Sequence, residues 1–185
     1  MKKNYSRNNN LKGSETEKNL WTAFAGECEA RVRYEFFADI ARKDGYEQIG
    51  AIFDETSHNE KEHAEMWYKY LGQIFNTEKN LERAATLEEY ESTEMYVEFA
   101  DVAEREGFTE ISTKFREVAG IEKAHNERFL KLRENILNGK VFHRDEKVMW
   151  QCRNCGYLVF GENAPEVCPV CNYPQAYFQL REDNF

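Results

Sequence analysis

The sequence predicts an all-α four-helix bundle followed by a small, mostly β and loop domain built around a metal. Three observations carry that expectation. Apolar and small residues recur at helical spacing through four long stretches, each closed by a glycine. Within the helical part, the second half repeats the first at an offset of 62 residues. Four of the five cysteines fall in the last 34 residues, as Cys152-x-x-Cys155 and Cys168-x-x-Cys171.

Residues 1–13 are rich in Asn and Lys and read as a flexible N-terminus. Ser14-Glu15-Thr16-Glu17 has the form of a capping box and starts the first helix, which Asp44-Gly45 ends. A second helix is expected from about Glu47 to Leu71, closed by Gly72. Residues 72–85 read as a crossover connection, partly helical. Thr86-Leu87-Glu88-Glu89 is a second capping-box form, so the third helix is expected from there to Glu106, with Gly107 as its stop. The fourth covers roughly Thr109 to Leu137 and ends at Asn138-Gly139. Short turns at Gly45 and Gly107 with a longer middle link describe two helical hairpins in one bundle. The predicted helical domain is therefore 14–139, followed by a linker at 140–147.

Residues 148–185 differ in composition, holding all three prolines and a cluster of aromatics that includes Trp150, Tyr157 and Phe178. So short a segment cannot bury enough core to fold unaided, and four cysteines in two knuckles supply a metal staple. Tetrahedral sulfur suits either zinc or iron, and spacing does not choose between them.

Composition excludes several classes of function. Charged residues make up 32% of the chain and the net charge is −9, which argues against nucleic acid or an anionic membrane as partner. No apolar run reaches the length of a membrane span, and no secretory signal is visible. Paired C-x-x-C without a signal reads as metal binding in a reducing compartment, so a cytoplasmic location is expected.

The chemistry centres on Glu60-Lys61-Glu62-His63 and its repeat, Glu122-Lys123-Ala124-His125. Residues three apart lie on one helical face, where a Glu and a His can bind one metal together. One such motif in a Glu-rich chain carries little weight. Two in corresponding places of a duplicated hairpin carry much more, because the pseudosymmetry turns them toward each other. The offset also relates Tyr34 to Tyr96, Phe37 to Phe99, Ala38 to Ala100, and Phe53 to Phe115. Dimetal bundles take one further Glu from each remaining helix. On the first helix that is Glu27, set among small and apolar residues where an unpaired carboxylate would be costly. On the third, Glu88, Glu89, Glu91 and Glu94 compete. Strict use of the offset gives Glu89. The alternative, Glu88 with Glu91 one turn on, requires one extra residue before Tyr96, the signature of a π-bulge between Glu88 and Tyr96. Tyr34 and Tyr96 are placed for their hydroxyls to hydrogen-bond ligand carboxylates. His58 and His143 fit no such pattern and read as surface residues, and Cys28 reads as a small buried residue.

At these residues the chain resembles the rubrerythrin family over nearly its whole length. Ala23-Phe24-Ala25-Gly26-Glu27 with Arg31, Arg33 and Tyr34 is similar to that family's first iron-binding helix, and the two Glu-x-x-His turns to its second and fourth. Cys152-Arg153-Asn154-Cys155-Gly156-Tyr157 and Cys168-Pro169-Val170-Cys171 resemble a rubredoxin knuckle pair, with Asn172 where rubredoxins often have Gly. Asn tolerates the left-handed conformation needed there. The resemblance implies a ferritin-like diiron bundle with a C-terminal rubredoxin-like domain, hence two irons in the bundle and one on the cysteines. It implies that Glu60 and Glu122 bridge the irons, that Glu27 and Glu88 are terminal ligands and that His125 binds one iron. Glu91 and His63 would exchange on the other iron as it is oxidised and reduced.

The implied reaction is reduction of hydrogen peroxide to water, protecting against oxidative stress. Electrons would come through the cysteine-bound iron from a separate NAD(P)H-dependent reductase or a rubredoxin, since the chain has no Gly-x-Gly fingerprint of its own. A head-to-tail homodimer would bring the two kinds of iron site close enough for electron transfer. One alternative is a ferritin-like iron-oxidising or iron-handling protein with a structural zinc ribbon. Another is a dioxygen-activating oxidase on the same bundle.

Overall fold

The computed structural model describes residues 11–182. The expected flexible N-terminus falls mostly on residues 1–10, outside the described residues. Two compact units divide the chain, Met1–Phe75 and Asn76–Phe185.

In the first unit, α1 (Glu15–Lys43) and α2 (Glu47–Tyr70) form a helical hairpin. Ser14 caps α1 as expected, its Oγ accepting the Glu17 N–H at 3.1 Å. The Glu17 carboxylate reaches back to the Gly13 N–H, one residue before the position a capping box would use. At the turn, Gly45 takes φ +86° and the Tyr46 N–H donates to the Ala41 carbonyl at 2.8 Å, closing the last carbonyls of α1. The seam between the helices is made of small residues: Ala38, Ala41, Gly50, Ser57 and Ala64 are buried. A Cβ at Gly50 would lie 3.0 Å from Arg42 Cγ and 3.2 Å from the Ala38 carbonyl, so glycine permits the closest approach there.

The second unit opens with α3 (Thr77–Tyr90), a π turn (Glu91–Met95) and α4 (Tyr96–Arg105), which run on as one rod, and α5 (Thr109–Leu137) packs against it. The third helix thus begins nine residues before the expected Thr86. Two features account for the difference. Asn76 is the N-cap, its Oδ1 accepting the Lys79 N–H at 2.9 Å. The first turns are then clamped to α5 by Arg133, whose Nε and Nη2 donate to Glu78 at 2.6 Å and Glu82 at 3.0 Å. Thr86 lies in mid-helix with its hydroxyl bonded back to the Glu82 carbonyl, which is the other use of a helical threonine. The stretch expected as a crossover at 72–85 is therefore mostly helix. The seam repeats that of the first unit, with Ala85, Ala100, Ala103 and Ser112 buried.

After α5, β1 (His143–Cys152) pairs antiparallel with β2 (Leu158–Asn163) on one side and β3 (Phe178–Leu180) on the other. β1 begins inside the 140–147 stretch expected as a linker. Its core is Trp150, Cys152, Ala164, Cys168 and Phe178, and these include the largest fully buried side chains among the described residues. Trp150 meets the cost of burying its indole N–H by donating to the Gly161 carbonyl at 3.0 Å. The chain is mostly helical with a small C-terminal antiparallel sheet, as the sequence predicts.

Candidate metal centres

Two triads and one tetrad of ligating side chains are assembled. In the first unit, Glu27 of α1 meets Glu60 and His63 of α2, with donor atoms within 4.8 Å of one another. His63 Nδ1 lies 2.8 Å from Glu60 Oε2 and 3.9 Å from Glu27 Oε1. In the second unit, Glu88 of α3 meets Glu122 and His125 of α5. His125 Nδ1 lies 2.7 Å from Glu122 Oε2 and 3.7 Å from Glu88 Oε2. Each helix pair has thus built the same half-site. The i, i+3 spacing puts Glu and His on one face, and the neighbouring helix supplies the second carboxylate.

The contest on the third helix resolves toward Glu88, while Glu89 is exposed and outside the triad. The expected π-bulge is present at Glu91–Met95, where the Tyr96 N–H donates to the Glu91 carbonyl five residues back. Upstream of it the two hairpins register at an offset of 61, so Glu88 matches Glu27; downstream the offset is 62. Ser92 and Thr93 donate their hydroxyls to the Glu89 carbonyl at 3.0 and 2.7 Å, giving it extra donors where the hydrogen-bond ladder changes step. That hydroxyl pair after Glu91 is a signal the sequence reading did not use.

The second triad is electrostatically uncomfortable without a cation. Burial raises the Glu88 carboxyl above its ordinary range, and the hydrogen bond and charge of Glu122 raise it further, with Glu91 adding to them and His125 opposing. Burial also raises the Tyr96 phenol, helped by Glu91, Glu122 and Glu88, so it is held as a neutral hydroxyl. Its ring packs with Phe99 and Phe115 at centroid distances of 6.3 and 5.9 Å. Tyr34 does the same with Phe37 and Phe53 at 6.3 and 6.0 Å. Carboxylate and imidazole donors of this kind fit iron.

Near the C-terminus, Cys152, Cys155, Cys168 and Cys171 bring four sulfurs together. Cys152 Sγ is 3.8 Å from Cys171 Sγ, and Cys155 Sγ is 3.6 Å from Cys168 Sγ. A tetrahedral ion with metal–sulfur bonds of about 2.3 Å needs a sulfur–sulfur edge of roughly 3.8 Å, so the cage already has the size of its guest. The two knuckles are built alike. Gly156 N–H donates to the Cys152 carbonyl and Asn172 N–H to that of Cys168, each at 2.9 Å. Gly156 has φ +80° and Asn172 φ +60°, the left-handed turn expected of that asparagine. The Tyr157 N–H draws the Cys155 thiol down, but burial and the three neighbouring thiols carry it up to about 12. Burial raises Cys171, but the Asn154 side chain and the Tyr173 N–H bring it down to about 6. Sulfurs this close share protons unevenly until a metal replaces them. Cys152 and Cys168 are buried while Cys155 is exposed, so the cage has one open edge.

The family model described as Rubrerythrin matches residues 18–133. The chain belongs to the rubrerythrin family. A second model, the rubredoxin-like domain of rubrerythrin, matches residues 150–179. The chain is 46% identical to a rubrerythrin of Porphyromonas gingivalis, over 100% of this chain and 99% of that protein. It is equally identical to rubrerythrins of Clostridium perfringens (95% and 98% covered) and Nitratidesulfovibrio vulgaris (92% and 96%). Membership and donor sets together assign the cofactors as two irons for the carboxylate–histidine residues and one for the thiolates. This is the equipment of an oxidoreductase with an electron-transfer domain of its own. Among the described residues, no helix is long and apolar enough to cross a membrane.

His58 is exposed and His143 half-exposed, its Nδ1 3.0 Å from Asn163 Oδ1, and neither joins a metal cluster. Cys28, expected buried, is half-buried beside Glu27, and burial raises its thiol.

Proposed function

We propose that the chain is a non-haem diiron peroxidase that reduces hydrogen peroxide to two waters, taking up two electrons and two protons. When bound, the diiron pair supplies the two electrons for cleaving the O–O bond, and the thiolate iron supplies their replacements one at a time. The observation that carries this reading is a cage of tetrahedral sulfur spacing in the same chain as two Glu/Glu/His triads. A protein that only stored or oxidised iron would have no use for a second, one-electron site.

In this reading Glu60 and Glu122 would be shared by the two irons, Glu27 and Glu88 would each hold one, and His125 would stay bound throughout. Glu91 and His63 would be alternatives on one iron. A carboxylate suits the ferric charge and a neutral imidazole the ferrous one. Support comes from the position of Glu91 at the start of the π turn, within the electrostatic reach of both Glu88 and Tyr96. The Tyr96 phenol, kept neutral by burial and by three carboxylates, is a hydrogen-bond donor to a ligand carboxylate, with Tyr34 as its counterpart. Electrons enter at the exposed Cys155 edge from an external NAD(P)H-dependent reductase or a rubredoxin. The compartment is reducing and cytoplasmic, and a head-to-tail homodimer brings one chain's cage to the other's diiron site.

The same sulfur spacing suits zinc, which keeps one other reading in view, a ferritin-like iron-oxidising protein with a zinc ribbon. Metal analysis with visible absorption separates the two. Three irons per chain and a ferric-thiolate spectrum are expected, and one zinc per chain on the cysteines would end the electron-transfer role. Cys155→Ser should lower NADH-dependent peroxide reduction in a reconstituted system by on the order of 100-fold or more, with circular dichroism of the helices unchanged.

A further inference from the structure

We propose that Trp67, Tyr70, Tyr68 and Trp21, the oxidisable rings at the open end of the first hairpin, are an emergency supply of electrons for the diiron pair. They act when hydrogen peroxide arrives while only one of the two irons is reduced. This rests on the peroxidase reading above.

The rings continue the helical stripes that carry the ligands. On α2, His63, Trp67 and Tyr70 follow at i, i+4 and i+7, on one face of the helix. On α1, Trp21, Phe24 and Glu27 follow in steps of three, each one turn from the next. A turn of this kind is a rise of about 4.5–6 Å. Ring contacts complete the path. Tyr68 stacks on Phe24 at 4.5 Å between centroids and meets Trp21 edge-on at 6.1 Å. Trp67 stacks with Tyr70 at 6.4 Å. Trp67 and Tyr68 are half-buried, whereas Tyr70 is 43% and Trp21 40% exposed, so both stripes run from a ligand to the surface.

The second hairpin has the same helices without this chemistry. Phe129, Leu130 and Leu132 stand where Trp67, Tyr68 and Tyr70 do, and Glu82 where Trp21 does. Filling space at this end needs only apolar bulk, which phenylalanine and leucine provide. Indole and phenol rings can also yield an electron to a strong oxidant, which those two side chains cannot. Two of the chain's three tryptophans stand at this one end, beside one half-site and not the other.

Trp67 carries a second mark of the role. Its indole N–H is buried and meets no hydrogen-bond acceptor among the described residues. An oxidised indole gives up its N–H proton to any acceptor at hand and then holds the radical. With none, it keeps the proton, and its positive charge moves on to the next ring. At the exposed rings water takes the proton, and the radical comes to rest there.

Reduction of hydrogen peroxide to two waters takes two electrons and two protons. A half-reduced pair can give one electron, and cleavage with one alone releases a hydroxyl radical. Here Trp67 gives the second electron and Tyr70 replaces it. Tyr70 loses its hydroxyl proton to water and becomes a neutral radical, and that proton with one more from solvent completes the two waters. A small thiol in solution then returns one electron and one proton to Tyr70, and two thiols so oxidised join as a disulfide.

Rapid freezing tests this. Iron-loaded protein, reduced by one electron per diiron pair, is mixed with one equivalent of hydrogen peroxide and frozen within milliseconds. Electron paramagnetic resonance should show an organic radical whose line shape changes when tyrosine or tryptophan is ring-deuterated. Peptide mapping should place ring oxidation at Trp21 and residues 67–70 and not at Trp150. Replacing all four rings by Phe should abolish the radical and raise spin-trapped hydroxyl radical. Circular dichroism and turnover of the fully reduced protein should not change. Wild-type protein that forms no organic radical, forms one that deuteration assigns to neither ring type, or is oxidised only elsewhere would overturn the proposal, whether or not the variant folds. A radical that persists in the variant would do the same. Protein that consumes no peroxide even when fully reduced would overturn the peroxidase reading and this inference with it. Normal turnover without a ring radical would overturn this inference alone.

Discussion

The two hairpins share a plan and depart from it at definite places. In both, an aromatic trio joins the two helices, Tyr34–Phe37–Phe53 in the first and Tyr96–Phe99–Phe115 in the second. Matching centroid distances in the two trios differ by 0.1 Å at most, 6.0 against 5.9 Å for the tyrosine–phenylalanine pair across the seam. On the surface the likeness stops. Arg42 pairs with Asp54 across the first hairpin, whereas the matching positions are Glu104 and Arg116, and Arg116 pairs instead with Asp101 at 3.2 Å. The departure that matters chemically is the π turn. One inserted residue brings Glu91 in beside the second triad and gives the first no counterpart. Duplication therefore made two ligand sets, and a single insertion made them unequal.

That inequality is open to direct attack. His125→Ala should cost the most, on the order of 100-fold in peroxide turnover, because it removes a ligand that nothing replaces. On the proposed exchange with Glu91 on the same iron, His63→Ala should cost roughly 10-fold. Equal losses in the two variants, measured as kcat with a reconstituted donor, would mean that the π turn creates no functional asymmetry. Glu91→Ala is the complementary probe. We expect turnover to fall by about 10-fold with the melting temperature essentially kept, because the turn is closed by the Glu91 backbone and not its side chain. Deleting Thr93 should restore plain helical hydrogen bonding and leave Glu88 seven residues before the tyrosine, the spacing of Glu27 to Tyr34, so iron content should be kept while turnover drops. Lost iron in that deletion would show that Glu88 needs the bulge itself, and not the register alone, to reach the triad.

How far the sequence revealed this depends on whether a feature was local or needed a distant partner. The Glu-x-x-His turns, the cysteine knuckles, the glycine stops and the bulge were all legible, because each is fixed by spacing along one segment. Counting back seven residues from Tyr96 gives Glu89, so the choice of Glu88 rests on the extra residue of the bulge and on the family resemblance. The start of α3 was not legible in the same way. Asn76 is the local cap, but Thr86 is also a residue of the right type, with the right glutamate after it. Recognising Asn76 required knowing that Arg133, 55 residues away from Glu78, would hold the new first turn. The early start of β1 at His143 likewise depends on its partner Asn163, which no local pattern names.

Arg133 also marks the end where the hairpins diverge most, and it gives the smallest effect that can still be read. At the open end of the first hairpin, Trp21, Phe24 and Tyr68 pack together, with Phe24 and Tyr68 stacked at 4.5 Å. The matching position to Arg133 there is Leu71, which is buried. The second hairpin closes its end by charge instead, with Arg133 forked onto Glu78 and Glu82. These three side chains are a quarter to a third exposed, so screening discounts the fork below a fully buried pair. Arg133→Ala should therefore destabilise the second hairpin by about 1–2 kcal/mol, and the loss should shrink as salt is raised. Hydrogen exchange should locate it in residues 77–85, leaving the α1–α2 hairpin as protected as before. A loss that is independent of salt would assign the anchoring to the packed stem of Arg133, and the contrast between an aromatic end and an ionic end would then be one of composition only.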